Sequence, residues 1–215
     1  MRHKFLPSFV QRKGRITKYQ EKNLLSLPDY EISSFLEIQK AKNNFKKVIL
    51  EIGFGNGENV FKFANNNKEN LYIGSEVYMA GIGQLLGGVI ANDLNNLKIV
   101  TGDIRLLLDE VKEPIFDHVV IICPDPWPKL KHHKRRMLNG NFLNLIHKTI
   151  KDDGHLFMST DWENYAESIE EAVNQNEGFV KVKDSIYMEA SLTKFQQRAV
   201  KEGRKIYPFP LKKVS

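Results

Sequence analysis

Asp125 stands between Pro124 and Pro126 in the stretch IICPDPWPKLKHHKRRML, residues 121–138. An apolar run stops there at three prolines in five residues, Pro124, Pro126 and Pro128. A residue that precedes proline is steered to extended backbone, and neither flanking proline has an N–H to offer. The carboxylate is therefore expected to leave a strand stiffly and point in one direction, with the Trp127 ring beside it. A charge fixed next to a reacting atom is the basis of preorganised electrostatic catalysis. The plainer use of such a stretch is a strand terminator with a Pro-Trp packing corner. Directly after it, Lys129, Lys131, Lys134, Arg135 and Arg136 fall with His132 and His133 inside eight residues. Such a run can neutralise and hydrogen-bond phosphates, or simply form a solvated loop. An acid rooted in a basic loop makes sense if the loop grips a nucleic-acid backbone while the acid faces the atom that reacts.

A second constellation is LEIGFGNGENV, with Gly53, Gly55 and Gly57 straight after an apolar run. Glycine lets backbone come close to a ligand, because a Cβ would intrude. The spacing is G-x-G-x-G. It is neither the G-x-G-x-x-G dinucleotide fingerprint nor a phosphate-cradling loop ending in G-K-[ST]. Glu51 just before the loop would repel a pyrophosphate. It would suit S-adenosylmethionine, which carries a sulfonium and an α-ammonium. Glu76, some twenty residues beyond the loop, stands where a carboxylate can take both ribose hydroxyls, and Asp103 can reach an adenine amino group.

These residues need elements to position them. Five short β-favouring runs, at 48–53, 71–77, 97–103, 117–125 and 154–161, each have an acidic residue at or near their end. Helix-like segments at 57–66, 79–92, 103–111, 137–151 and 162–176 separate them. That alternation predicts βαβ units: an α/β fold with a mostly parallel central sheet and helices on both faces. Continuous apolar strands suit a sheet covered on both sides. Gly154 in KDDGH is expected to stop the helix before the fifth strand. The acids Glu51, Glu76, Asp103, Asp125 and Asp161 would then gather at the carboxyl ends of the strands, where ligands of open parallel sheets bind. Helix capping accounts for Asp103 and Asp161 but less well for all five. Residues 1–30 read as a basic N-terminal arm and 31–215 as a single domain. In the basic C-terminal stretch TKFQQRAVKEGRK, Thr193 and Gln196 could hydrogen-bond a base edge, or the stretch could be an exposed helix.

Composition narrows the class. At 215 residues, 41% hydrophobic and 27% charged, the chain can bury one real core. A net charge of +6 permits an anionic partner without demanding one. One cysteine, Cys123, allows no intrachain disulfide, which suits a reducing cytosol; in its apolar run it reads as a small core residue. No Cys or His cluster has metal-ligand spacing. No apolar stretch or leader segment suggests a membrane span or a signal peptide.

Taken in order, LEIGFGNG, GSEV, GD, PDPWPKLKHHKRR, STD and TKFQQR, with VQRKGRITKYQ ahead of them, resemble the bacterial tRNA (guanine-N7-)-methyltransferases over nearly the whole chain. The resemblance implies a Rossmann-like class I methyltransferase fold and methylation of a guanine in the variable loop of tRNA; the protein is expected to be cytoplasmic, without a metal, and a monomer or homodimer. It implies that Glu51, Gly53, Gly55, Glu76, Asp103 and Asp125 serve S-adenosylmethionine, with Asp125 also catalytic. Lys129, Asp161, Thr193, Lys194, Phe195 and Gln196 would meet the substrate, and Lys131, His132, His133, Lys134, Arg135 and Arg136 would touch RNA. There are two departures from the family pattern, at Gln196 and in the glycine loop. Gln196 stands where Glu is usual, which removes a charge-assisted bond. Phe54 and Asn56 stand in the glycine loop where other residues are commoner, which is expected to alter packing and not function. A catalytically idle RNA-binding protein on the same fold is the alternative from another class, and cofactor binding separates the two. A nucleotide-dependent oxidoreductase fits the glycine spacing poorly. Fold alone decides none of this.

Overall fold

The computed structural model describes residues 4–10, 14–183, 187 and 193–214. These residues carry a seven-stranded, mostly parallel sheet with helices, and the chain forms two compact units, residues 11–110 and residues 1–10 with 111–215. No helix among the described residues is long and apolar enough to cross a membrane.

In the unit of residues 11–110, three helices come first: α1 (Lys18–Leu24), α2 (Leu27–Tyr30) and α3 (Phe35–Lys42). Alternating strands and helices follow: β1 (Val48–Ile52), α4 (Glu58–Asn66), β2 (Leu71–Glu76), α5 (Met79–Ala91), β3 (Leu97–Thr101) and α6 (Ile104–Glu110). The strands lie in the order β3-β2-β1, all parallel. Every residue of β1 is buried, which is why the run shows no alternation of polar and apolar residues. Helix α1 falls in the stretch read as a basic arm, and it packs on α5. Asn23 donates to the carbonyl of Gly83 at 3.0 Å, and a Cβ on Gly83 would lie 2.7 Å from the Gln20 carbonyl. Thr17 and Gln20 close α1 with a reciprocal capping box. The buried amide of Asn96 donates to the carbonyls of Ala64 and Asn70 at 2.9 and 3.0 Å, which anchors the Asn-rich turn after α4.

The other unit holds β4 (Phe116–Ile122), a 3-10 helix (Leu130–Arg135), α7 (Gly140–Thr149), β5 (Ile150–Thr160), α8 (Glu163–Asn174), β6 (Phe179–Lys181), α9 (Lys194–Lys201) and β7 (Tyr207–Lys213). Its strand order is β4-β5-β7-β6, with β4 and β5 parallel and β7 antiparallel to both its neighbours. One expectation is corrected here. Gly154 does not stop a helix: α7 ends at Thr149 and the chain enters β5 at once. Register jumps from Phe116↔Ile150 to His118↔His155, so residues 151–154 bulge out of the ladder. Asp153 takes φ 61° there. A Cβ on Gly154 would lie 2.8 Å from the Lys151 carbonyl, so close approach, not helix termination, is what requires glycine. Strand β7 lies outside the five β-favouring runs of the sequence. Its Pro208 and Pro210 argue against an interior strand, yet it lies between β5 and β6. The Pro210 carbonyl accepts from Val182 N–H at 3.0 Å. In an antiparallel strand a residue's N–H and C=O face the same neighbour, so the missing donor of Pro210 faces Val182, one residue beyond the short β6. Phe209, Leu211 and Lys213 alternate as the buried face.

Candidate functional site

Two groups of residues follow the carboxyl ends of the parallel strands, one in each unit. In residues 11–110, Glu51 is the penultimate residue of β1, Glu76 ends β2, and Asp103 comes two residues after β3. The glycine loop takes the left-handed backbone that only glycine adopts freely: φ is 72° at Gly53, 61° at Gly55 and 79° at Gly57. Glu76 fastens this loop. One carboxylate oxygen accepts Gly55 N–H at 2.7 Å, and the other accepts Val77 N–H at 2.7 Å and Tyr78 N–H at 3.1 Å. Phe54 is buried over Gly74, whose Cβ, if present, would lie 2.7 Å from the ring. The departure at Phe54 is therefore a packing feature.

The three acids differ electrostatically. Glu51 is buried, and burial pushes its carboxyl up to about 8. At neutral pH it holds a proton, which a neighbouring cation would displace. Asp103 is paired to Arg105, whose Nε donates to one oxygen at 2.9 Å and whose second nitrogen donates to the other at 2.6 Å. Sequence reasoning missed Arg105. The Asp103 carboxylate can take an adenine amino group only through its remaining lone pairs. Helix α4 starts at Gly57 without a side-chain cap, and the buried Asn59 amide nitrogen has no hydrogen-bond partner among the described residues. A helix start without a side-chain cap and a buried amide nitrogen suit an anionic group, such as the carboxylate of an amino-acid ligand. With the buried acid and the glycine loop, these residues fit an amino-acid sulfonium nucleoside.

In the other unit, Asp125 lies three residues beyond β4 and Asp161 one residue beyond β5. The β4 exit is clamped from several sides. Cys123 and Trp127 bracket Asp125 symmetrically, both with positive φ, 48° and 45°. Such backbone in non-glycine residues costs about 1–3 kcal/mol each and persists only where surrounding contacts hold it. Cys123 N–H donates to the Ser159 carbonyl at 2.9 Å, and the Trp127 indole N–H donates to the Ser8 carbonyl at 2.9 Å. The Cys123 thiol is half-buried, and burial and the Asp161 charge push it up to about 12; no thiolate is available there at neutral pH.

The basic run forms the 3-10 helix. Lys129, Lys131 and Lys134 are exposed. His132 meets the edge of the Trp127 ring, and the Arg135 guanidinium lies 5.0 Å from the ring centre. Burial, then Lys131, Arg135, Lys129 and Lys134, holds the His132 imidazole below its usual range. His133 is half-buried. Arg136 is the exception and corrects the expectation that the whole run faces RNA. It is 6% exposed. Its Nε donates to the Pro126 carbonyl at 2.9 Å, and its other nitrogens donate to the Asn164 carbonyl, Asn164 Oδ1 and Ser168 Oγ at 3.3, 3.0 and 3.3 Å. It also lies 4.7 Å from the centre of the Tyr165 ring. The run read as one RNA-facing surface because all its members are basic; the chain turns inward after Arg135, and sequence gives no sign of that.

Asp161 is paired with Arg204, which also binds Glu202 at 2.5 Å. Thr193 and Gln196 form the capping box of α9: Gln196 Oε1 accepts Thr193 N–H at 3.0 Å, and Thr193 Oγ1 accepts Gln196 N–H at 3.2 Å. Gln196 is buried. The side chains of Lys194 and Phe195 lie outside the described residues. Spacing pointed to Thr193 and Gln196 as base-reading groups; the same Thr-x-x-Gln spacing is a helix-start signature, and the two side chains serve that purpose here.

A family model described as "Putative methyltransferase" matches residues 45–209. The tRNA (guanine-N(7)-)-methyltransferase of Nitrosococcus oceani is 37% identical over 214 residues, covering 97% of this chain and 91% of its own. The protein of the same name from Legionella pneumophila strain Corby is 34% identical, covering 94% and 95%. Among solved structures, the 30S ribosomal A1408 methyltransferase from an uncultured bacterium superimposes with a TM-score of 0.60 at 18% identity, covering 85% of this chain and 95% of that one. The last of these likenesses speaks to the fold alone.

Proposed function

The chain belongs to the tRNA (guanine-N7-)-methyltransferase family, and from that membership we propose that it transfers a methyl group from S-adenosylmethionine to N7 of a guanine in the variable loop of tRNA. The cofactor supplies an electrophilic methyl on a sulfonium. Glu51, the glycine loop with Gly53 and Gly55, Glu76 and Asp103 hold it. Glu51 suits its cationic end once the acid gives up its proton, and Glu76 stands at the end of β2, where a carboxylate takes ribose hydroxyls. Guanine N7 bears no proton, so transfer needs no base. Asp125 acts instead through its charge and its fixed direction. Lys129 and Asp161 orient the guanine. The exposed Lys131 and Lys134, with His132, His133 and Arg135, meet phosphates. A tRNA substrate implies a cytoplasmic protein.

The observation that carries this reading is the acid held between two strained residues at the root of an exposed basic helix. The test is incubation with methyl-labelled S-adenosylmethionine and bulk tRNA, followed by digestion and nucleoside analysis. The label should appear in 7-methylguanosine. Tight tRNA binding without cofactor binding in equilibrium titrations would favour an idle RNA-binding protein instead.

A further inference from the structure

Arg136 is a buried cation with no carboxylate partner among the described residues. Burying an unpaired charge is costly unless fixed dipoles replace its hydration. Here four oxygens and the face of Tyr165 do so. One of the four matters for the reaction. The Pro126 carbonyl belongs to the peptide that links Asp125's neighbour to Trp127, and Trp127 sits at φ 45°. The other three oxygens lie on α8, in Asn164 and Ser168. The guanidinium thus ties the strained peptide after Asp125 to a regular helix. Around it the frame is closed: Asn139 Nδ2 donates to the Arg136 carbonyl at 2.9 Å, and Leu138 N–H donates to the Tyr165 hydroxyl at 2.8 Å.

Resting on the reading of Asp125 given above, we infer that Arg136 is a positioning residue for methyl transfer: its planar fork holds the Pro126–Trp127 peptide on α8 and so fixes the Asp125 carboxylate, while touching neither tRNA nor cofactor. A lysine keeps the charge but is a single point donor. It cannot bridge Pro126 and Asn164 together with the geometry of a guanidinium.

The test compares wild type, Arg136→Lys and Asn164→Ala. Wild-type formation of 7-methylguanosine is measured first; its absence would sink the proposed function and leave Arg136 aside. Given that activity, Arg136→Lys should lower single-turnover transfer by roughly 10–10²-fold, the scale of an ångström-sized misplacement, with KM for tRNA and its salt dependence unchanged. Asn164→Ala, which removes one anchor and spares the charge, should lower the same rate by a smaller factor. The double variant should be no slower than Arg136→Lys, because both act on one linkage. Asn164→Ala also carries the test should Arg136→Lys fail to fold. A salt slope reduced by about 0.7–0.9 with the transfer rate intact would make Arg136 a phosphate contact and overturn the proposal. A lower melting temperature with full transfer well below melting would reduce it to packing, and overturn it equally.

Discussion

The Glu76 carboxylate accepts the Gly55 N–H at 2.7 Å. The acid assigned to the cofactor's ribose is thus also the clasp of the loop that the cofactor would approach. Its other oxygen accepts two further N–H groups, of Val77 and Tyr78. Glu76→Ala should therefore weaken S-adenosylmethionine binding by about 1.5–3 kcal/mol, the scale of hydrogen bonds to a charged group. Glu76→Gln should rescue little of it, because its amide nitrogen would face an N–H donor whichever way the side chain turns. Calorimetric titration checks both. An unchanged dissociation constant in the alanine variant would remove Glu76 from the site.

Glu51 gives a pH-dependent prediction. Burial raises its carboxyl from the ordinary 4.5 to about 8. An acid whose pKa rises on folding binds more protons folded than unfolded, so it takes away stability as pH climbs. The loss should begin above about 4.5 and level off above about 8, at up to about 1.4 kcal/mol per pH unit. Glu51→Gln should flatten that decline in denaturant melts across the range. If a cationic cofactor end displaces the proton, binding near neutrality should release about one proton. The observed enthalpy would then vary with the buffer's ionisation enthalpy in wild type and not in Glu51→Gln.

The alternation of apolar runs and helices reveals β1 to β5 because buried parallel strands are continuously apolar, and the acids near their ends could be read off directly. What escaped has physical reasons. Strand β7 hides behind Pro208 and Pro210, whose missing donors matter only if a neighbour faces them. Helix α1 hides in basic composition because its contact with α5 depends on glycines sixty residues away, Gly83 and Gly87. At the site, residue type shows charge but not direction. Arg136 and Arg135 are equivalent in sequence; one lies against carbonyls and the other on an indole face. Asp103 and Asp161 look free until Arg105 and Arg204 are seen beside them.

That difference within the basic run is measurable. Neutralising Lys131 and Lys134 should flatten the salt dependence of tRNA binding by about 0.7–0.9 log–log units per lost phosphate contact, and leave cofactor affinity as it was. His132 sits below its usual pKa through burial and four nearby cations. Phosphates that neutralise those cations would raise it, so tRNA should bind more tightly as pH falls through the imidazole range, and His132→Gln should lose that dependence. Filter binding over a salt and pH grid reads both effects. A slope untouched by the lysine changes would make the 3-10 helix a solvated face only.

Asp125 carries the last prediction. Its neighbours two residues to either side, Cys123 and Trp127, hold positive φ, and each is hydrogen-bonded to a separate segment, Ser159 and Ser8. Backbone framed this way fixes the point from which the Asp125 side chain starts. A charge presented from a fixed point suits the stabilising of a cationic centre. Asp125→Asn keeps the shape and much of the hydrogen bonding but removes the charge. Methyl transfer should fall by roughly 10²–10³, the range seen on removing one preorganised electrostatic group. Cofactor and tRNA affinities should move far less, so the loss should appear in kcat at saturation. Because N7 is attacked through a lone pair that bears no proton, the wild-type single-turnover rate should show no acidic limb near neutrality from a base at this position. An Asn variant that transfers at nearly the wild-type rate would leave Asp125 a strand terminator. Label on an exocyclic amine, where a proton must be lost, would move the assignment away from N7 and make a base necessary.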